Sequence, residues 1–150
     1  MVDLPGTYSL NAGSDDEAVA CAVVLGHSLQ TRAPNLTAVI LDATRLRRGL
    51  RLVAALQREQ VPIVVVLNMM DRVRGQGREL DAERLEQALG VPVVEATGIH
   101  AQGTDALRAL LDQPEIWQQT GRKNLAQESI HAPALTDDQQ AQAWLVQAGM

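Results

Sequence analysis

The chain has 150 residues, enough for one domain that buries about 68–70% of its extended surface. Apolar residues make up 46% and Phe is absent, so any core is built from Val, Leu, Ile and Ala. A net charge of −5, with twelve Arg and a single Lys (Lys123) in no long basic run, argues against nucleic-acid binding through the phosphate backbone.

The lone Cys21 excludes an internal disulfide and fits a reducing compartment. No signal peptide and no long apolar run is evident, so the sequence reads as a cytoplasmic globular domain without a membrane span.

In chain order, the opening VDLPG (2–6) places an Asp-x-x-Gly where a β-strand is expected to end. SDDEAVACAVVLGHSL (14–29) follows with a capping-box pattern, Ser14 and Glu17, and then apolar residues, so a helix is predicted there. Its acids Asp15, Asp16 and Glu17 suit the first turn, and Cys21 falls on its apolar face. TAVILDA (37–43) and PIVVVLN (62–68) are near-continuous apolar runs, as expected of parallel strands covered on both faces. VPVVEAT (91–97) is a shorter third strand. Between them, RLRRGLRLVAALQRE (45–59) sets Leu46, Leu50, Val53, Ala54 and Leu56 on one stripe, and the arginines of 45–58 read as a solvated face, with a phosphate-facing patch as the alternative. DAERLEQALG (81–90) starts acidic and ends on a Gly suited to a helix C-terminus, and GTDALRALLD (103–112) supplies another helix. Residues 113–135 are polar and mixed, with Pro114 and Pro133 as punctuation. A second capping pattern, Thr136 and Gln139, precedes Ala141, Trp144, Leu145 and Ala148 at helical spacing, which predicts a terminal helix packed through Trp144. Alternating strands and helices of this kind give an α/β, doubly wound, mostly parallel sheet.

Three short motifs fall at strand ends: Asp3-Leu-Pro-Gly6, Asn68-Met-Met-Asp71 and Ala96-Thr97-Gly98. Ligands of open parallel sheets bind outside the carboxyl ends of the strands, so the three are expected to line one crevice. Asp3 can hold Mg²⁺ through water, because that ion dehydrates reluctantly and prefers hard oxygen ligands. Gly6 lets a backbone N–H approach a terminal phosphate with no side chain between. The Asp71 carboxylate can accept from guanine N1–H and the N2 amino group, whereas adenine presents a lone pair at N1. Asn68 would tie loops together and reach the base edge, Met69 would lay its thioether over the ring, and the Thr97-Gly98 backbone would donate to guanine O6. The bland readings are a turn for the first motif and a helix cap for the second. His27, His100 and His131 are far apart and lack metal-ligand spacing.

DLPGTYSL, DEAVA, DAT-x-L, VVLNMMD and LGVPVVEATG together resemble the guanine-nucleotide domain of FeoB-type ferrous-iron transporters, over residues 1 to 112. The resemblance implies a P-loop GTPase-like domain that regulates Fe²⁺ uptake through a membrane permease part, at the cytoplasmic face of the inner membrane. Asp3 and Gly6 match the family's magnesium and terminal-phosphate motif, and Asn68 and Asp71 its guanine-specificity motif. Thr97 and Gly98 stand where the family usually has Ser-Ala. Residues 113–150 fall where the family carries a helical domain, so the expected organisation is a partial G domain at 1–112 and a helical extension at 113–150.

The departures are as informative. No G-x-x-x-x-G-K-[ST] occurs, and Lys123 in GRKN cannot replace its Lys. Thr7 follows Gly6 where a water-positioning Gln would stand, and the switch Thr is missing, so hydrolysis is not expected of this chain. It reads as the back part of a longer protein, lacking the first strands and the phosphate loop, with Met1 an internal or substituted start. If the strands ending at Asp3 and Asp42 both form, the sheet has a gap that another chain would have to fill. The expected partners are GTP or GDP with Mg²⁺, the permease part, and such a strand-supplying chain. The competing reading is a non-catalytic α/β interaction module or remnant that binds no nucleotide.

Overall fold

A computed structural model describes residues 1–97, 103–118 and 135–150. Gly98, His100, Lys123, His131 and Pro133 lie outside the described residues. A parallel sheet orders the rest: β1 (Thr37–Asp42), β2 (Ile63–Asn68) and β3 (Val93–Glu95) lie side by side in chain order. The register sets Thr37 beside Ile63 and Asp42 beside Asn68, and on the other side Val65 beside Val93 and Leu67 beside Glu95. The helices are α1 (Asp15–Val24), α2 (Leu46–Arg58), α3 (Met70–Gly75), α4 (Ala82–Leu89), α5 (Asp105–Leu111), α6 (Pro114–Gln118) and α7 (Asp137–Gln147).

β2 is the centre. Its Ile, Val and Leu residues are buried on both faces, as a run of β-branched side chains covered by two layers requires. One layer is a shared core of Val39 and Leu41 from β1, Ile63, Val65 and Leu67 from β2, and the apolar faces of α2, α4 and α7. β1 departs from expectation, since it is buried on that face only. Val39 and Leu41 point in, while Ile40 on the opposite face is 68% exposed. Among the described residues β1 pairs with β2 alone, so its other edge is free.

No strand forms at residues 2–4, correcting the expectation for the segment before Asp3. No described strand pairs with them, and Pro5 brings no N–H to a ladder. The anticipated gap between two strands is accordingly a free β1 edge.

Helix ends follow local chemistry. Asp81 caps α4 by accepting from the N–H groups of Glu83 (3.0 Å) and Arg84 (3.1 Å), and Gly90 closes it with φ of 68°. Thr136 and Gln139 complete a capping box on α7. At α1 the box is displaced: Ser14 accepts from Glu17 N–H, but the Glu17 carboxylate accepts from Gly13 N–H at 2.7 Å. Cys21 is buried on α1, and the helix ends at Val24, short of the predicted range.

The sequence showed one apolar stripe on α2, but Leu52 and Ala55 are buried as well. The reason is a second contact surface, because α7 packs on α2 and α4 with Ala141, Trp144, Leu145 and Ala148 in the common core. Ion pairs fasten the same junction, Arg47 to Asp138 and Arg58 to Asp137. These pairs are exposed, so apolar burial rather than charge carries most of the contact.

Gly49 marks the closest approach of α2 to the sheet. A Cβ there would sit 2.6 Å from Leu41 Cδ2, inside a side chain that is itself buried. Ala normally gains about 1 kcal/mol over Gly in a helix interior, but overpacking a filled core costs about 1–3 kcal/mol. Gly49→Ala is expected to lower unfolding free energy by about 1 kcal/mol in urea titration, reversing the helix-propensity order.

Candidate functional site

The carboxyl ends of the three strands bring three segments to one edge of the sheet. β1 ends at Asp42, whose Oδ1 accepts from Thr44 N–H (2.9 Å) and Thr44 Oγ1–H (2.7 Å). These bonds cap the single 3-10 turn Ala43–Arg45 that leads into α2. The Thr44 hydroxyl bond holds the Asp42 carboxyl below its ordinary range, helped by Thr44 N–H, Arg45 and Arg72 against partial desolvation. Sequence reasoning did not single out Asp42, although Asp-Ala-Thr after a strand is the signal of such an Asx turn.

β2 ends at Asn68, beside Asp42 in the register. Asn68 Oδ1 accepts from the N–H of Met69 at 2.9 Å, which aims the amide and fixes the turn. Met69 itself is left-handed, with φ 63° and ψ 28°, and stands as N-cap of α3 without a side-chain cap bond. A non-glycine residue in that region is strained by roughly 1–2 kcal/mol, and such strain clusters at functional turns. The turn presents Asp71 in the first turn of α3, exposed, with no hydrogen bond or ion pair to any described residue. Both carboxylate oxygens are therefore open to an external donor pair.

The third segment is anchored by Ala96 N–H donating to Leu67 carbonyl at 2.9 Å, which sets residues 96–97 beside the end of β2. Here the geometry corrects one expectation: the N–H of Thr97 is committed to Gly103 carbonyl at 3.1 Å. A backbone donor to O6 would have to come from Gly98. Arg74 closes the outer side of the region by gripping both carboxylate oxygens of Glu95, at 2.9 and 2.7 Å.

Asp3 and Gly6 lie on a fourth segment that takes no part in the sheet. Both are exposed, and no hydrogen bond joins them to the β2, α3 or β3 residues described above. Arg48 lies 3.8 Å above the Tyr8 ring, a cation–π contact that fastens the segment to α2, and Leu10 packs against the core. A Cβ on Gly6 would meet nothing within 4 Å, and Gly6 is not among the residues with positive φ. Neither packing nor backbone conformation within the chain therefore requires glycine there. The structure thus unites Asn68, Met69, Asp71 and Thr97, while Asp3 and Gly6 share only their own segment.

Solved structures share this fold. The FeoB G domain from Methanococcus jannaschii superposes with a TM-score of 0.67 at 36% identity, covering 74% of this chain and 68% of that one. The cytosolic domain of the Thermotoga (T. maritima) FeoB iron transporter in a GDP form matches with a TM-score of 0.65 at 25% identity, over 74% of this chain and 42% of that one. The fold is that of a FeoB G domain, of the P-loop GTPase class.

Sequence comparison agrees with the fold. The family model for ferrous iron transport protein B matches residues 1–111. The Fe(2+) transporter FeoB of Synechocystis is 34% identical over 152 aligned positions, covering 98% of this chain and 24% of that protein. The Escherichia coli K12 transporter is 33% identical over 117 positions, covering 75% of this chain and 14% of that protein. The chain belongs to the ferrous iron transport protein B family, and spans a quarter or less of the length of these relatives. Among its described residues no helix is long and apolar enough to cross a membrane.

Two outcomes follow from the local geometry. Met69→Gly relieves the left-handed strain, and is expected to raise unfolding free energy by about 0.5–1 kcal/mol in chemical denaturation. Asp42→Ala removes the cap of the 3-10 turn and is expected to cost about 1 kcal/mol at pH 7. Because the folded-state pKa is depressed, the carboxylate's contribution is present above the unfolded pKa and lost as pH falls through the folded value. Wild-type and Asp42→Ala stabilities, measured by urea titration from pH 7 downward, should therefore converge at acid pH.

Proposed function

We propose that this chain is the guanine-recognising portion of a FeoB-like ferrous-iron transport protein, and that it binds GTP or GDP in coupling to Fe²⁺ uptake by the complete protein. The observation that carries this reading is Asp71, an exposed carboxylate without a partner among the described residues, at a strained turn on the end of the most buried strand. A rigid strand end and a fixed turn are what a base-reading carboxylate needs, since discrimination depends on leaving the wrong base unpaired. Asn68 bridges the turn and the base edge, Met69 covers the ring, and Gly98, beyond Thr97, supplies the donor to O6.

Gly6 is read as the close backbone approach to a terminal phosphate, because packing and conformation leave its missing side chain otherwise unused. Among the described residues no three His, Cys, Asp or Glu are grouped to hold a metal ion. Asp3 would hold Mg²⁺ through water, with nucleotide phosphates completing the shell. Mg²⁺ would supply charge neutralisation of those phosphates. The chain is assigned recognition without hydrolysis, since no phosphate loop and no water-positioning Gln are in its sequence.

The free β1 edge and the exposed Ile40 favour one further assignment, a strand added there by another segment or chain. In the complete protein this domain stands at the cytoplasmic face of the inner membrane and acts on the permease part, with residues 113–150 as a helical extension of the 1–112 G domain.

Asp71→Asn tests the base assignment. An amide donates where the carboxylate accepted, so guanine should lose and xanthine, with its C2 carbonyl, should gain. Calorimetric titration with GDP and XDP is expected to show the affinity ratio moving toward XDP by on the order of a hundredfold or more. An unchanged ratio would sink the assignment.

A further inference from the structure

A cleft of about 580 Å³ opens where the start of α2 meets α7, outside the strand-end residues that read the base. Arg45, Arg47, Arg48, Arg51 and Arg78 line it, against the side-chain carboxylate of Asp138 and the α-carboxylate of Met150. The chain as a whole carries −5, so five of its twelve arginines in one cleft form a strong local reversal of sign. Like charges gathered in this way repel one another, and the fold supplies little to offset them.

The internal partners account for part of the group only. Asp138 is gripped by Arg47 through both carboxylate oxygens, with Nε at 3.2 Å from Oδ1, which holds the Asp138 carboxyl below its ordinary range. Arg48 is turned over Tyr8. The Arg51 guanidinium feels Asp138 through space but makes no side-chain hydrogen bond among the described residues, and the Arg78 side chain has no described partner. Both are exposed, so their donors are available to a ligand.

We propose that this cleft binds a compact anion carrying two or more phosphate groups, with Arg51 and Arg78 as its main contacts. Guanidinium donors match phosphate oxygens bidentately, which lysines do not, and every cation lining the cleft is an arginine. The volume lies within the roughly 300–1,000 Å³ of small-ligand sites. An acidic peptide spreads one charge per side chain along its backbone, whereas clustered phosphates concentrate several charges within such a space. The inference is independent of base recognition, because the cleft contains none of Asn68, Met69, Asp71 or Thr97.

Isothermal titration of the chain with inorganic tripolyphosphate tests it, alongside flotation with phosphatidylcholine vesicles containing phosphatidylinositol 4,5-bisphosphate. Arg51→Ala/Arg78→Ala is expected to weaken binding by about a hundredfold, about tenfold for each arginine that no longer donates to a phosphate. The variant's melting midpoint without ligand should not fall, because two of the mutually repelling charges are gone. Arg51→Lys/Arg78→Lys, which keeps charge and loses the fork, should fall between the two and answers any folding defect of the first variant. Wild-type binding should weaken as salt is raised. Tripolyphosphate binding without flotation supports a soluble phosphate ligand, and arginine-dependent flotation supports a lipid headgroup. Failure to bind either probe, or tripolyphosphate binding unaffected by both arginine variants, overturns the proposal.

Discussion

The buried parallel ladder of β2 is the constraint from which the rest follows. Its residues are covered above and below and hydrogen-bonded to a strand on each side, so its carboxyl end is the least movable point of the described chain. Register against β1 puts Asp42 beside Asn68, and one bond from Ala96 to Leu67 brings the β3 segment to the same edge. A strained left-handed residue can persist at Met69 because the strand before it and α3 after it are both packed, with Met70 and Val73 buried in the core. Stability invested in β2 is thereby converted into the fixed position of a carboxylate that the core itself does not use.

α2 and α7 form the second level. Gly49 lets α2 lie close on Leu41, and the resulting layer leaves a second helical face for Trp144 and its neighbours. The terminal helix is part of the same apolar core as the sheet, and its first-turn acids engage arginines of α2. Two of the five arginines in the cleft are thus drawn into internal contacts, Arg47 with Asp138 and Arg48 with Tyr8. The Tyr8 contact also holds the segment that follows Gly6 against α2.

Much of this was legible in the residues. Continuous β-branched runs at 62–68 and helical spacing at 141, 144, 145 and 148 report burial directly, and the structure follows both. The Asp81 and Thr136 caps and Gly90 were readable for the same reason, because a cap acts over three or four residues. What escaped depends on partners distant in sequence. TAVILD looks like a strand buried on two faces, yet Ile40 is exposed on the face opposite Val39 and Leu41, which only the tertiary packing decides. VDL resembles the end of a strand, yet a strand exists only through a partner ladder. The commitment of Thr97 N–H to Gly103, the left-handed Met69, and the pairing of Arg47 with a carboxylate 91 residues away leave no local trace in composition or period.

The central claim is that the end of β2, with its neighbours, forms a guanine pocket on this chain by itself. Thermal melting of the purified chain with Mg²⁺ and increasing GDP or ADP tests it most directly, because a ligand that binds only the native state raises the midpoint by mass action. The expected result is one cooperative transition that rises with GDP concentration and stays fixed with ADP. A midpoint indifferent to both nucleotides, or raised equally by both, would contradict it.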